Sequence, residues 1–201
     1  NAIMERKGAK VALLTTKGFR DILEMGREQM YDIFDLKAQM PAPLVPRYLR
    51  REVSERTSRD GEVLQSCDPG EAVAIVDELI SEEDVEAVAV ALLHSYKNPA
   101  NEHALKVALR DRFPRLTLSV SSDVAPVINE YERTSTAVAD CFVKPLVSTY
   151  LGNVEAGLEG NGCHSRLLVM LSDGGVMDSE WAKEFPIRLL ESGPAAGALA
   201  A

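Results

Sequence analysis

The side chains that could do chemistry in this sequence lie in four short polar or glycine-rich segments, each following an apolar run. The segments are residues 15–18, 94–98, 172–175 and 192–197. In an open α/β sheet, ligands bind beyond the carboxyl ends of the parallel strands. These four segments are therefore where the sequence predicts contact with a ligand.

The stretch LSDGG, residues 171–175, is the sharpest of these signals. Gly174 and Gly175 would let the backbone approach an anion or a substrate. Asp173 could hold a metal-bound water or accept a proton, and Ser172 adds a hydroxyl beside it. A plain tight turn is the alternative interpretation of the same residues.

The stretch SGPAAG, residues 192–197, predicts the start of a helix, because a proline in the first turn follows a serine. Free amides at a helix N-terminus could bind an anion near Ser192 and Gly193. Pro194 lacks one of those amides, however, so close crossing of the small residues against another helix is the favoured alternative.

Two single side chains are further candidates. His94 follows the apolar run EAVAVALL, and Arg133 lies in YERTST at an expected helix start, where it could bind an anion or a carboxylate. An ordinary hydrogen-bonded histidine and a surface ion pair are the respective alternatives. His94, His103 and His164 share no metal-ligand spacing, so no metal site is predicted.

Apolar periodicity places these candidates on an α/β framework. Short apolar runs predict strands over residues 9–16, 86–96, 115–124 and 166–175, and a further short strand just before Ser192. Helical spacing predicts helices over residues 18–34, 68–85, 98–114 and 129–160, and a short one from Asp178. This alternation is typical of crossover connections, so we expect an α/β fold with a mostly parallel, mixed sheet and flanking helices.

Two local features add detail. The stretch REVSERTSRDGEVLQS predicts a hairpin around Asp60 and Gly61, with the type I′ turn that this residue pair favours. The helix over 129–160 carries Pro145, which should kink it. Two apolar stripes predict that it is buried on more than one side: Val138, Phe142, Leu146 and Tyr150; Ala139, Val143, Val147 and Leu151.

Composition excludes some classes of function. The chain has 201 residues, 46% of them hydrophobic, and a net charge of −9, which argues against nucleic acid as a partner. Cys67, Cys141 and Cys163 are odd in number and widely spaced, which fits a reducing, cytoplasmic location. No apolar run approaches the roughly 18 residues of a membrane span, and no membrane partner is expected.

Five stretches, in this order, resemble the hydantoinase A/5-oxoprolinase family: NAIMERKGAKVALLTTKGFRDILEMGRE, AVALLHSYKNPANEH, EYERTSTAVADCFVKP, MLSDGG and LLESGPAAGALAA. Each stretch is weak evidence alone, but together they span nearly the whole chain. The family includes ATP-dependent N-methylhydantoinases, 5-oxoprolinases and the ATP-binding subunits of acetone and acetophenone carboxylases.

The resemblance implies an actin-like ATPase fold of the ribonuclease H type. It implies ATP and Mg²⁺ as cofactors of the parent enzyme, a small cyclic amide as substrate, and a hydantoinase B-type partner subunit or domain. A carboxylase subunit with the same ATP chemistry is an alternative. A non-catalytic fragment that only binds a partner subunit is another.

The resemblance also divides the chain. Residues 1–125 resemble the family's N-terminal α/β region with an inserted hairpin, and residues 126–201 resemble the start of the core that ends at a hinge helix. The family's two phosphate-loop motifs, DxGGTFTD and DMGGTS, do not occur in the sequence. The chain thus resembles an internal fragment between these loops, and this fragment alone is not expected to bind ATP.

The sequence finally predicts a shared cleft. If the segments 172–175 and 192–197 both follow parallel strands, they lie at one edge of one sheet. The predicted catalytic residues are Asp173, Arg133 and His94, and the predicted cleft residues are Ser172, Gly174, Gly175, Ser192 and Gly193. The residues after Pro194 should be exposed as a surface for a partner helix.

Overall fold

The structure is a computed structural model that describes residues 1–27, 34, 37 and 41–200. The described helices are α1 (Ala2–Glu5), α2 (Ile22–Met25), α3 (Pro69–Glu83), α4 (Ala100–Arg112), α5 (Ser121–Val124), α6 (Glu130–Gly160), α7 (Ser179–Glu184) and α8 (Ser192–Ala200). The described strands are β1 (Val11–Thr16), β2 (Arg50–Val53), β3 (Arg56–Thr57), β4 (Val63–Gln65), β5 (Ala87–Ala91), β6 (Thr117–Val120), β7 (Leu168–Met170) and β8 (Val176–Asp178). Short 3₁₀ turns cover Arg47–Leu49 and Pro186–Leu189.

The chain divides into two compact units. The sheet unit comprises Lys10–Cys141, and the terminal unit comprises Asn1–Ala9 together with Phe142–Ala201. Helix α6 begins in the sheet unit and ends in the terminal unit. Most of the helix predicted over 18–34 lies outside the described residues, which show only the single turn α2 in this stretch.

A four-stranded parallel sheet in the order β2-β1-β5-β6 forms the centre of the sheet unit. Every residue of β1 and of β5 is buried, as expected of strands that are covered on both faces. The continuous apolar runs VALL and AVAVA satisfy this requirement, because every side chain of such a strand must enter a core. The predicted α/β fold with a mostly parallel sheet is therefore confirmed.

Helices α3 and α4 pack against each other beside this sheet. The side chain of Asp68 accepts a hydrogen bond from Gly70 N at the start of α3, which satisfies one of the free amides of its first turn. The apolar stripe of α3, formed by Ala72, Val76 and Leu79, is fully buried. Both helices begin and end within two residues of their predicted bounds.

Strands β3 and β4 form the predicted hairpin, but the predicted type I′ turn is wrong. That turn needs a positive φ at both Asp60 and Gly61, and only Gly61 has one, at 92°. Ser58 N donates to Glu62 O, and Gly61 N donates to Ser58 O. The loop is thus one residue longer than predicted and resembles a type I turn followed by a glycine bulge.

The terminal unit departs further from the prediction. Residues 166–175 were expected to be a buried strand, yet β7 covers only Leu168–Met170, pairs antiparallel with β8 and leaves Leu168 exposed. The short strand expected before Ser192 is instead the 3₁₀ turn Pro186–Leu189. Pro186 is the first residue of this turn, and its fixed φ favours a helical rather than an extended start.

Helix α6 covers 31 residues, as predicted, but its burial is narrower than its apolar stripes suggested. Val138, Phe142 and Leu151 are buried, whereas Leu146 and Tyr150 are 51% and 65% exposed. The kink at Pro145 stays a prediction. None of the helices in the described ranges combines the length and the hydropathy that crossing a bilayer requires.

Candidate functional site

The carboxyl ends of the parallel strands bring polar side chains together at one edge of the sheet. Thr16 ends β1, the segment 92–98 follows β5, and α5 begins at Ser121 directly after β6. Because all three strands are parallel, their ends lie at the same edge. Two of the four segments predicted to contact a ligand, 15–18 and 94–98, are therefore neighbours.

A buried carboxylate fixes the ends of β5 and β6. Glu102, in the first turn of α4, is fully buried and accepts hydrogen bonds from Leu92 N at 2.8 Å and Ser122 N at 2.8 Å. The hydroxyl of Ser121 donates to the same carboxylate at 2.6 Å, and Ser95 lies 3.1 Å from that hydroxyl. Charge-assisted bonds of this kind are strong, so Glu102 holds both strand ends in register with α4.

A second buried carboxylate, Glu55, joins the hairpin to β1. It accepts hydrogen bonds from the Thr16 hydroxyl and from Asn101 Nδ2, the latter at 2.7 Å. Thr16 Oγ1 in turn accepts from Leu93 N at 2.8 Å. Burial, reinforced by the charge of Glu55, raises the pKa of the nearby Cys67 thiol. These bonds tie the inserted hairpin to the edge of the sheet.

The sequence analysis did not select Glu55, Asn101 or Glu102. A signal for the last two exists, since Asn101 lies four residues before Leu105 and Leu105 four before Leu109, and these leucines are buried. Polar residues that continue a buried helix stripe are expected to be buried and hydrogen-bonded. No comparable sequence signal marks Glu55.

Arg133 lies within this edge, in the first turn of α6, and is only 1% exposed. Its guanidinium donates to Val127 O and to Leu92 O, both at 2.9 Å, and lies 5.4 Å from the ring centre of Tyr96. Burial lowers the pKa of Arg133, and the charges of Glu102 and Glu130 oppose that shift. The surface ion pair considered as the alternative is wrong, because the side chain is buried.

His94 lies just beyond β5 with a left-handed backbone, φ 55°. Its Nδ1 is 3.7 Å from Glu130 Oε1, and the same oxygen is 3.9 Å from an Arg133 nitrogen. The His94 ring meets Tyr96 edge-on, with ring centres 6.2 Å apart. The structure thus brings His94 and Arg133, two of the predicted catalytic residues, close to the same carboxylate oxygen.

A small cavity opens beside Arg133. Its lining is mostly apolar, with Thr15, Thr134, Glu130 and Arg133 as the polar residues. Its volume is about 10 Å³, roughly the space that one water molecule requires. A cavity of this size with a few polar groups can hold a single water molecule.

The other predicted site residues lie in the terminal unit, where residues 171–175 form the tight turn between β7 and β8. Asp173 Oδ1 accepts from Gly175 N at 2.9 Å, and the Ser172 hydroxyl donates to Arg188 O at 2.8 Å and to Leu190 O. Gly174 has φ 84°, a conformation that glycine adopts most easily. The interpretation as a plain tight turn describes this geometry.

The predicted route to a shared cleft is therefore wrong, because the two segments do not follow parallel strands of one sheet. The segments 172–175 and 192–197 nevertheless lie close together through other contacts. Ser172 bonds to the backbone just before α8, and a Cβ on Gly174 would lie 2.8 Å from Leu199 Cδ1. Ser192 and Gly193 form the first turn of α8. Of the residues after Pro194 that were expected to be exposed, Ala198 and Leu199 are exposed, whereas Ala195 and Ala196 are half-buried.

Metal and phosphate ligands do not gather in the part of the chain that the structure describes. Within residues 1–27, 34, 37 and 41–200, no group of three or more His, Cys, Asp or Glu side chains is arranged to hold a metal ion. The donor sets present at the sheet edge are instead single carboxylates and N–H groups.

The carboxyl edge of a parallel α/β sheet is where proteins of this fold class bind their ligands. Two family models narrow this class: the hydantoinase/oxoprolinase N-terminal region matches residues 1–113, and the hydantoinase/oxoprolinase model matches residues 133–201. The chain belongs to the hydantoinase/oxoprolinase family.

Individual relatives agree with this assignment. The chain is 40% identical to an uncharacterized protein of Methanocaldococcus jannaschii over 95% of its length, and 32% identical to the caprolactamase subunit alpha of Pseudomonas jessenii over 97%. It is 31% identical to 5-oxoprolinase 1 of Arabidopsis thaliana over 98%. The chain spans 28% of the length of the first two relatives and 17% of the third.

Two solved structures share the fold. The crystal structure of ATP-dependent caprolactamase from Pseudomonas jessenii matches 97% of the chain with a TM-score of 0.86 at 30% identity, and the chain covers 28% of it. A nucleotide-free acetone carboxylase structure matches 98% with a TM-score of 0.83 at 30% identity, and the chain covers 29% of it. The related proteins thus include both a cyclic amide hydrolase and a carboxylase.

Proposed function

We propose that this chain is part of an ATP-dependent enzyme that hydrolyses a small cyclic amide, such as a hydantoin or 5-oxoproline. The observation that carries the proposal is the similarity to caprolactamase, which extends over nearly the whole chain in both sequence and fold. A lactam, a hydantoin and 5-oxoproline all contain a cis amide in a ring, so one site chemistry serves all of them.

The chemical difficulty of this reaction is the stability of the amide. Resonance makes its carbonyl carbon a weak electrophile, so an enzyme must place N–H donors near the oxygen and a base near the attacking water. The sheet edge offers such groups in Arg133, His94 and Glu130. We assign Arg133 and His94 to substrate positioning and charge stabilisation.

The residues of the terminal unit have a different proposed role. Asp173, Ser172, Gly174 and Gly175 form an exposed turn, and Ser192 and Gly193 begin α8. We propose that these residues line a cleft of the complete enzyme, with Asp173 as the acidic group. The support is the predicted contact between the turn and the α8 region, which Ser172 and Leu199 provide.

ATP and Mg²⁺ belong to the proposal only for the complete enzyme. The described residues contain no cluster of metal ligands, and the family's two phosphate-loop motifs do not occur in the sequence. We therefore assign the binding of a Mg²⁺–nucleotide to other parts of the complete enzyme. When bound, ATP would supply activation of the amide carbonyl, within the actin-like ATPase fold that we infer from the family.

A carboxylase subunit is the second candidate. The acetone carboxylase structure matches this chain almost as well as caprolactamase does. In that case the same edge would bind a ketone. Two relatives, caprolactamase alpha and acetone carboxylase beta, are named as subunits, so we further propose a hydantoinase B-type partner. We also propose a cytoplasmic location, which the number and spacing of the cysteines favour.

A substrate panel tests both candidates. The full-length protein, with and without its partner subunit, is incubated with ATP and hydantoin, 5-oxoproline or caprolactam, and separately with acetone or acetophenone and bicarbonate. ADP release and mass spectrometry of the product are followed. We expect ADP and a ring-opened product from a cyclic amide. ADP release only with a ketone and bicarbonate would establish the carboxylase instead.

A further inference from the structure

Two buried nitrogen atoms at the sheet edge have unmet hydrogen-bonding capacity. Among the described residues, none provides a hydrogen-bond partner for Arg133 Nε or for His94 Nδ1. Leaving a buried N–H group unsatisfied costs on the order of 1–3 kcal/mol. Both side chains lie beside Glu130 Oε1, at 3.9 Å from an Arg133 nitrogen and 3.7 Å from His94 Nδ1, which is too long for a direct bond.

The space beside these groups fits one small molecule. The cavity of about 10 Å³ is lined by Arg133 and Glu130 together with two threonines. A buried water needs about that volume and two to four polar partners. Arg133 Nε can donate to such a water, and the Glu130 carboxylate can accept from it.

Glu130 differs from Arg133 in its access to solvent. The Glu130 side chain is 30% exposed, whereas that of Arg133 is 1% exposed. A molecule held between them is therefore fixed on its inner side and reachable on its outer side. A water that served packing alone would not need an exposed carboxylate as its partner.

We propose that Glu130 and Arg133 hold one water molecule at the carboxyl edge of the sheet, and that Glu130 is the general base that activates it. This proposal rests on the proposed hydrolytic function. His94, whose Nδ1 lies 3.7 Å from Glu130 Oε1, orients that group. The class of substrate is a small neutral amide whose carbonyl carbon approaches the held water from the solvent side.

The step is as follows. Glu130 takes a proton from the water as the water oxygen bonds to the carbonyl carbon, and the π electron pair of the carbonyl moves to its oxygen. When that pair returns, the C–N bond breaks, and Glu130 gives its proton to the leaving nitrogen. The products are a carboxylic acid and an amine, and Glu130 returns to its starting state.

The ionisable groups that surround Glu130 in the described part of the chain come from several elements. His94, which follows β5, lies 3.7 Å from Glu130 Oε1, and Arg133, on α6 itself, lies 3.9 Å from the same oxygen. Tyr96 and Glu102 interact with the charge of Arg133. Arg133 is a permanent cation, so it attracts the Glu130 carboxylate.

The test compares E130Q with E132Q in the full-length enzyme and its partner subunit. Glu132 lies on the same turn of α6 and pairs with Arg27, so its substitution is the matched control for loss of a carboxylate. For the cyclic amide that the wild type opens, we expect E130Q to lower kcat by about 10²–10⁴-fold with little change in KM. The E132Q variant should stay within about twofold.

A crystal structure completes the test. A high-resolution structure should show a water within about 2.7–3.2 Å of Arg133 Nε and of the Glu130 carboxylate. Circular dichroism of E130Q should match the wild type, which separates this role from folding.

The outcomes distinguish this proposal from the function on which it rests. If the wild type opens a cyclic amide but E130Q is as active as E132Q, the assignment of Glu130 is wrong. If the wild type opens none, the proposed function fails instead. An empty cavity beside Arg133 in the crystal structure would overturn the water site whatever the activity.

Discussion

The carboxyl edge of the parallel sheet and the β7–β8 turn both follow apolar runs that end in polar residues. The carboxylates in these two regions, however, have different structural roles. At the sheet edge, Glu102 is fully buried and accepts from three donors. At the turn, Asp173 is exposed and accepts from Gly175 N two residues away. The first carboxylate joins distant segments of the chain, whereas the second shapes only its own loop.

Removing the Glu102 and Asp173 carboxylates should show the largest difference in stability between the two regions. Glu102→Ala leaves the amides of Leu92 and Ser122 and the Ser121 hydroxyl without their acceptor, so we expect a loss of about 3–5 kcal/mol in the free energy of unfolding. Asp173→Ala removes one exposed hydrogen bond and should cost about 0.5–1 kcal/mol. Urea unfolding followed by circular dichroism measures both. Equal losses would contradict the comparison.

A substitution at Gly174 tests how much the backbone conformation of the β7–β8 turn contributes to stability. Gly174→Ala should destabilise the chain by about 1–2 kcal/mol, since its φ of 84° disfavours a side chain. The added Cβ would also lie 2.8 Å from the exposed Leu199, which must shift. Thermal unfolding measures the change. A larger loss for Gly174→Ala than for Asp173→Ala would show that the backbone conformation of the turn contributes more to stability than the Asp173 carboxylate.

The control for that substitution is Gly193→Ala in α8. In the described structure, a Cβ at Gly193 meets no atom within 4 Å. The change should be neutral or stabilising by up to about 1 kcal/mol, because alanine favours a helix more than glycine does. A loss at Gly193 as large as that at Gly174 would mean that φ is not the cause.

The smallest expected effect is a pH dependence at Asp123, on α5 at the sheet edge. Burial raises the pKa of Asp123, but its hydrogen bonds and charge interactions with Lys106 and His103 outweigh this, and the pKa is lowered overall. A lowered folded-state pKa contributes stability above the unfolded value near 4, and this stability is lost as pH falls through the folded value.

Asp123→Asn should therefore destabilise the chain by about 0.5 kcal/mol at pH 7, because the ion pairs are partly exposed. The difference from the wild type should shrink below about pH 4. Urea unfolding at both pH values measures it, with the exposed Asp111→Asn on α4 as the control. A difference that grew on acidification would have the wrong sign.

These contrasts also explain what the sequence could reveal. The runs at β1 and β5 are apolar at nearly every position, and only a strand covered on both faces accommodates that pattern. The run RLLVM begins with a charge and is followed by a glycine turn, which a buried strand and a short hairpin satisfy equally. Periodicity could not separate them, because each strand of the hairpin has only three residues.

At the candidate site, too, only part of the arrangement could be predicted from the sequence. Arg133 and His94 were recognisable because each lies next to a predicted element boundary. Glu55 acts through partners that are distant in the sequence, since its pairing with Thr16 spans 39 residues, and Glu130 lies near His94 of another element as well as near Arg133 of its own helix. Only the folded sheet brings such groups together. Sequence spacing alone identifies residues near a strand end, but not the hydrogen bonds between them.

The pairing of β1 has a consequence for how the chain is made. In the register of β1 with β5, the partners lie 76 residues apart. At roughly 5–20 residues per second of synthesis, β1 waits about 4–15 s for this neighbour. During that time one edge of VALLTT stays unpaired, since only its other neighbour, β2, is made earlier, and an uncharged, β-prone hexamer is the kind of segment that aggregates. Slow translation between residues 17 and 86 should therefore lower the soluble yield, and chaperone binding to the nascent strand should restore it.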